Sequence, residues 1–126
     1  MSLKAYFEGT KGVGVLATAS SDGVVDVAVY ARPHVVDGET VAFIMADRLS
    51  HKNLQSNPHA AYLFREEAAS HVGKRLYLTR VKEETDAEKI KTLRRRKTPM
   101  GCEPGNEEVR YLVTFHVDLV RPLIGD

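Results

Sequence analysis

Over most of this chain apolar and polar positions alternate with a period of two, the mark of strands that turn one face to a core. The clearest run is Val109, Tyr111, Val113, Phe115 and Val117, which predicts a strand ending near Pro122. A second run over Val24 to Arg32 puts Val25, Val27, Val29 and Ala31 on one face and Asp26, Ala28, Tyr30 and Arg32 on the other. Between Gly12 and Ser20 the side chains are small on both faces, which fits a strand that backbone or ligand approaches closely. Ser21-Asp22-Gly23 reads as a tight hairpin turn, and Asp37-Gly38 marks a second hairpin before a strand over Val41–Met45. His59–Arg65 and Lys74–Glu84 bring the number of predicted strands to six.

Three stretches change to helical spacing. Leu3–Gly9 is a short amphipathic helix with Leu3, Tyr6 and Phe7 on one side. Ser50–Ser56 is a second, stopped by Asn57-Pro58. Thr85-x-x-Glu88 is a capping box that opens a third, running to about Lys97 with Ala87, Ile90 and Leu93 inward. Thr98 to Asn106 carries two prolines and two glycines and is loop. Six strands in meander-like order with few helical crossovers predict a mainly β fold. Its antiparallel sheet curls shut into a small barrel carrying two or three short helices.

Composition narrows the functional classes. The 126 residues fit a single domain, 1–126, with 43% hydrophobic and 28% charged residues. A net charge of +1 gives no bulk field to draw the chain onto nucleic acid or an anionic membrane. No apolar run nears the roughly 20 residues that span a bilayer, and no secretory pattern opens the sequence. The single cysteine, Cys102, cannot pair internally, so the expected location is the cytoplasm. His34, His51, His59, His71 and His116 show no paired ligand spacing, so no metal site is expected. Arg94-Arg95-Arg96-Lys97 follows Glu83, Glu84, Asp86 and Glu88, the charge order that a helix dipole favours.

The candidate chemistry lies in Ser50-His51-Lys52-Asn53-Leu54. Free backbone N–H groups at a helix start attract anions, and a lysine in the first turn adds a full positive charge. Ser50 can cap the helix or donate to the same anion. A phosphate group is the guest that this chemistry suits. Gly9, Gly12 and Gly14 precede a strand with the wrong spacing for a dinucleotide fingerprint.

Helix, strand, turn, strand, Asp37-Gly38, strand, then Ser50-x-Lys52-x-x-Leu54 and Asn57-Pro58-His59-Ala60-Ala61 follow in an order that resembles the FMN-binding split-barrel family. That family contains the pyridoxamine 5'-phosphate oxidases and small bacterial FMN-binding proteins. The resemblance covers about Tyr6 to Phe64 closely, and the remaining strand–helix–strand order fits it. It implies a six-stranded antiparallel split β-barrel that forms a homodimer with FMN at the subunit interface. It places the FMN phosphate on Ser50, His51 and Lys52, with Lys52 its main ion-pair partner and Arg48 assisting. It lays the flavin ring along Val29, Tyr30 and Ala31 of one strand and Met45, Ala46 and Asp47 at the end of another. The implied activity is flavin-dependent oxidoreduction on a small-molecule substrate or electron donor, with no catalytic side chain singled out. A noncatalytic FMN electron carrier and a haem- or deazaflavin-binding barrel are the alternatives left open. The tail Val120 to Asp126 holds one arginine where the oxidases proper have several basic residues, so flavin binding carries over and pyridoxamine phosphate oxidation does not.

Overall fold

The structure, a computed structural model, describes residues 2–69, 71–97 and 109–125, with the backbone alone over 94–97. The loop expected from Thr98 to Asn106 with Cys102, and the side chains of Arg94 to Lys97, lie outside the described residues. Among the described residues, three helices, α1 (Leu3–Gly9), α2 (Leu49–Ser56) and α3 (Ala87–Lys97), accompany seven strands. The strands are β1 (Gly12–Ala19), β2 (Val25–Tyr30), β3 (His34–Asp37), β4 (Thr40–Ala46), β5 (His59–Glu66), β6 (Gly73–Glu84) and β7 (Arg110–Pro122). All belong to one antiparallel sheet in the order β2-β1-β5-β6-β7-β4-β3.

Two expectations change here. The seventh strand, β3, is four residues long and pairs with β4 beyond Pro33. So short a strand is too brief for alternation to announce it. The order is also not a plain meander. Two hairpins, β1–β2 and β3–β4, flank a β5-β6-β7 meander, so β2 and β3 become the outer strands. The sheet therefore curls without a hydrogen-bonded seam, and side chains bridge the gap. Tyr62 Oη donates to the carbonyls of Ala31 at 3.0 Å and Tyr30 at 3.3 Å. Arg32 Nη1 donates to the carbonyls of Phe7 at 2.8 Å and Thr10 at 2.9 Å, clamping α1 over the open side. The Tyr30 and Phe43 rings meet edge to face at 5.9 Å.

The inner face is built by the predicted alternation. Leu16, Tyr62, Phe64, Leu76, Leu78, Val113 and Phe115 are buried together with Phe43 and Met45 of β4, Leu54 of α2 and Phe7 of α1. Each such side chain contributes about 1.5–3 kcal/mol by leaving water. A second cluster, Ala42, Ile90 and Leu112, packs α3 against the other face of β4 and β7. That is why β7 reads as buried on both faces over Leu112–Phe115.

Helix ends follow their caps. Ser2 Oγ accepts from Ala5 N at the start of α1. At α3 the cap is Asp86, whose Oδ1 accepts from Lys89 N at 3.1 Å, and not Thr85. A carboxylate one residue later is the better acceptor. The shift moves Ala87 off the buried stripe, and it is exposed. The Asn57-Pro58 stop of α2 and the Ser21–Gly23 turn, with Gly23 at φ +85°, stand as expected.

Candidate functional site

Strand β4 leaves the sheet at Ala46, and Asp47 and Arg48 carry the chain into α2. The cap position of α2 belongs to Arg48, whose side chain makes no capping hydrogen bond. Ser50 lies inside the first turn. The first backbone hydrogen bond of the helix runs from Lys52 N to Arg48 O at 2.9 Å. The opening N–H groups of α2 thus lack the side-chain acceptor that Ser2 gives α1 and Asp86 gives α3. Such a helix start presents donors and a partial positive charge to an incoming anion.

The ten sequence-predicted residues separate by environment. Arg48 and Lys52 are exposed, and no ion-pair partner of Lys52 is present among the described residues. Val29 and Ala31 are exposed on and just beyond β2, and Tyr30 and Ala46 are half-buried. Asp47 is exposed. Met45, by contrast, is 2% exposed within the core cluster, because its side chain points into the barrel opposite Tyr111. It forms wall rather than contact surface.

Ser50 and His51 are both buried and both engaged. The Ser50 side chain faces the Tyr30 hydroxyl, so the end of β2 and the start of α2, far apart in sequence, meet side by side. Burial raises the Tyr30 hydroxyl above its ordinary 10.0, and the Ser50 contact offsets part of that. The end of β2 and the start of α2 therefore lie side by side, with the Ser50 side chain turned to Tyr30.

His51 occupies a cluster that sequence reading missed. Its Nδ1 lies 3.1 Å from Asp47 Oδ1, and its Nε2 lies 3.1 and 3.2 Å from the Glu83 carboxylate oxygens. The ring is stacked on Tyr111, with centroids 3.8 Å apart and planes 14° apart. Gln55 Nε2 donates to Glu83 Oε1 at 3.0 Å and to the His51 carbonyl at 3.3 Å. Burial pushes the Glu83 carboxyl up, but hydrogen bonds from Gln55 and His51 outweigh it and leave the group below its ordinary 4.5. The spacings Asp47–His51 and His51–Gln55 at i,i+4 were visible on a helix. Glu83 on β6 carried no local signal, since only the sheet brings it near.

Asn53 is also buried, and its Nδ2 donates to Thr18 Oγ1 at 3.0 Å, fastening α2 to β1. Beside α2, β2 offers an unusual surface. Val25, Val27 and Val29 are 75%, 66% and 77% exposed on one face of an outer strand. In register beside them stand Val15 and Ala17 of β1 and Ala61 and the exposed Leu63 of β5. A cleft of about 430 Å³ lies elsewhere, between α1, Arg32–Val35 and Leu93, and touches none of the ten residues. Among the described residues no group of three or more His, Cys, Asp or Glu side chains can hold a metal ion. No helix among them is long and apolar enough to cross a membrane.

No protein-family model matches the sequence, and no curated protein matches it. Solved structures do. An FMN-binding protein from Syntrophomonas wolfei is similar with a TM-score of 0.75 at 16% identity, over 98% of this chain and 84% of that one. HupZ of Group A Streptococcus has a TM-score of 0.70 at 16% identity, over 96% of this chain and 90% of that one. A member of the pyridoxinephosphate oxidase family from Clostridium acetobutylicum has a TM-score of 0.64 at 12% identity, over 94% and 83%. The fold is the split barrel that these FMN-binding and oxidase-like proteins share.

Proposed function

We propose that this protein is an FMN-binding flavoprotein that acts as an oxidoreductase. The observation that carries the reading is the uncapped start of α2, flanked by the exposed Arg48 and Lys52 and joined through Ser50–Tyr30 to the edge of β2. The residues fit the group. A phosphate monoester needs charged and N–H donors, and the helix start supplies both without a glycine-rich loop. Three or four charge-assisted hydrogen bonds at about 1.5–3 kcal/mol each suffice for tight holding of the phosphate.

Lys52 and Arg48 neutralise the phosphate, while Val29, Tyr30 and Ala31 with Ala46 and Asp47 offer a wall for a flat ring. Met45 supports that wall from inside the barrel. His51 is given to Asp47, Glu83 and Tyr111, so its backbone N–H rather than its imidazole serves the anion. When bound, FMN supplies the hydride or electron transfer, and the chain supplies position and exclusion of water.

The valine face of β2 supports a homodimer that completes the site. An outer strand with three valines in water is an invitation to pairing unless something covers it. A second copy of the same face is the self-complementary partner, and it brings a wall to the open side of the ring.

Replacing Lys52 removes one charge-assisted contact. Lys52→Ala is expected to weaken FMN binding about 10- to 150-fold, from about 1.5–3 kcal/mol, read by quenching of flavin fluorescence in a titration. Unchanged affinity overturns the phosphate assignment.

A further inference from the structure

The Glu83–His51–Asp47 cluster has no part in holding the phosphate directly, yet it is the most densely tied polar group beside α2. We propose that Glu83, acting through His51, is a positioning residue that sets the anion-binding end of this helix. The inference rests on the FMN reading above and adds to it a residue from β6 that no contact with the ligand would reveal.

The geometry argues as follows. A helix start is usually fixed by its cap, and α2 has no side-chain cap. His51 is the third residue of the helix, so its own backbone N–H is among the unclaimed donors, and Lys52 follows it directly. The His51 side chain is held on four sides. Asp47 meets Nδ1 from the entering loop, Glu83 meets Nε2 from β6, the Tyr111 ring lies flat beneath from β7, and Gln55 closes the cluster from the next turn. Each ring nitrogen faces a carboxylate, and the Gln55 amide nitrogen also lies 3.2 Å from Nε2. A side chain so buried and so bounded has one orientation, and its backbone inherits it.

Charge makes the arrangement informative. Two carboxylates next to a phosphate site repel the phosphate, so on charge alone removing Glu83 would strengthen FMN binding. If Glu83 positions α2, removing it weakens binding despite that gain. The two effects have opposite signs, which makes the direction decisive.

The experiment compares FMN with riboflavin, which has the same ring without the phosphate, on the full-length protein. Wild type is expected to prefer FMN strongly. Glu83→Ala is expected to lower FMN affinity about tenfold, on the scale of one charge-assisted hydrogen bond lost, while riboflavin affinity stays unchanged. Glu83→Gln, which keeps an acceptor at Nε2, restores most of the FMN affinity. A general loosening of the fold would lower both affinities together, and equal losses overturn the proposal. An FMN-to-riboflavin ratio in Glu83→Ala equal to or above that of wild type also overturns it, with the FMN reading intact. A wild-type protein that binds both ligands equally overturns the phosphate site itself, and the positioning role with it. Should Glu83→Ala fail to fold, His51→Gln, which cannot bridge two carboxylates, carries the same expectation and the same refutations.

Discussion

Gly14 offers a sharp test of how the barrel's inner face supports the site. A Cβ built on it would stand 1.9 Å from Tyr62 Oη, 2.3 Å from Cζ and 2.7 Å from Cε1. Real Cβ atoms do not come so close, so Gly14→Ala must displace a ring that is fully buried among Phe7, Phe43 and Phe64. Overpacking of this kind costs about 1–3 kcal/mol when the neighbours can shift. Here the ring also loses the one O–H donation it shares between the Ala31 and Tyr30 carbonyls, at about 1 kcal/mol. We expect a total loss of about 2–4 kcal/mol, a large share of the roughly 5–15 kcal/mol that holds a typical domain folded. Gly9→Ala is the control. Nothing lies within 4 Å of its Cβ, so it is expected to be neutral or stabilising by about 0.4–1 kcal/mol. Urea unfolding followed by circular dichroism measures both. Tyr62→Phe separates the terms: alone it costs about 1–2 kcal/mol for the carbonyls left unpaired. In combination it relieves only part of the Gly14→Ala loss, because Cζ and Cε1 still collide. Gly14 pairs with Tyr30, so the same displacement disturbs the end of β2. A Gly14→Ala protein with the wild-type midpoint would refute the packing described here.

Two further outcomes follow from the surface. Val27→Asp places a charge amid the exposed valines of β2, and sedimentation velocity is expected to show a dimer for wild type and a monomer for the variant; a dimer that survives the change means the copies meet elsewhere. On the outer face, His116 Nδ1 lies 2.8 Å from Asp118 Oδ1 and Nε2 lies 3.1 Å from Glu39 Oε1, and the Asp118 contact chiefly raises its titration above the ordinary 6.5. Asp118 is held below its ordinary 3.8, first by Thr79 and then by His116. A raised histidine contributes stability below its unfolded value and loses it as pH climbs through the folded value. A depressed aspartate does the reverse, losing its contribution as pH falls through the lowered value. The pair is therefore formed between those limits, and Asp118→Asn is expected to shift the pH titration of the His116 ring resonances downward in an NMR spectrum, an unmoved curve disproving the contact.

Strands with one buried and one outward face were legible because alternation is a local signal. β2 and β7 show it most plainly, whereas β1 is marked by small residues on both faces and β4 by a continuous apolar run after Asp37-Gly38. β3 was missed since four residues carry too little pattern, and its pairing with β4 depends on the Pro33 crossing. Strand order was not legible either: nothing in the residues of β1 says that β5 rather than β3 will lie beside it. The anion site proposed at the start of α2 can be suggested from sequence because Lys52 and the helix boundary are neighbours in the chain. Its support was not, since Glu83 and Tyr111 reach His51 only through the folded sheet. Burial also changes what the named side chains can do. Ser50 and His51 read as ligands on exposure-blind spacing, and the structure turns both side chains to protein partners.

Departures from local rules converge on one region of the molecule. α1 and α3 have side-chain caps and α2 does not. The inner faces of the strands bury their apolar residues, yet β2 exposes three valines. Each departure alone costs stability, and each is what a bound anionic, flat ligand and a second subunit would compensate. Local rules tend to be broken at functional sites, where a bound ligand or partner compensates the cost. The Ser50–Tyr30 contact links them, so the uncapped helix and the bare strand form one surface rather than two unrelated defects.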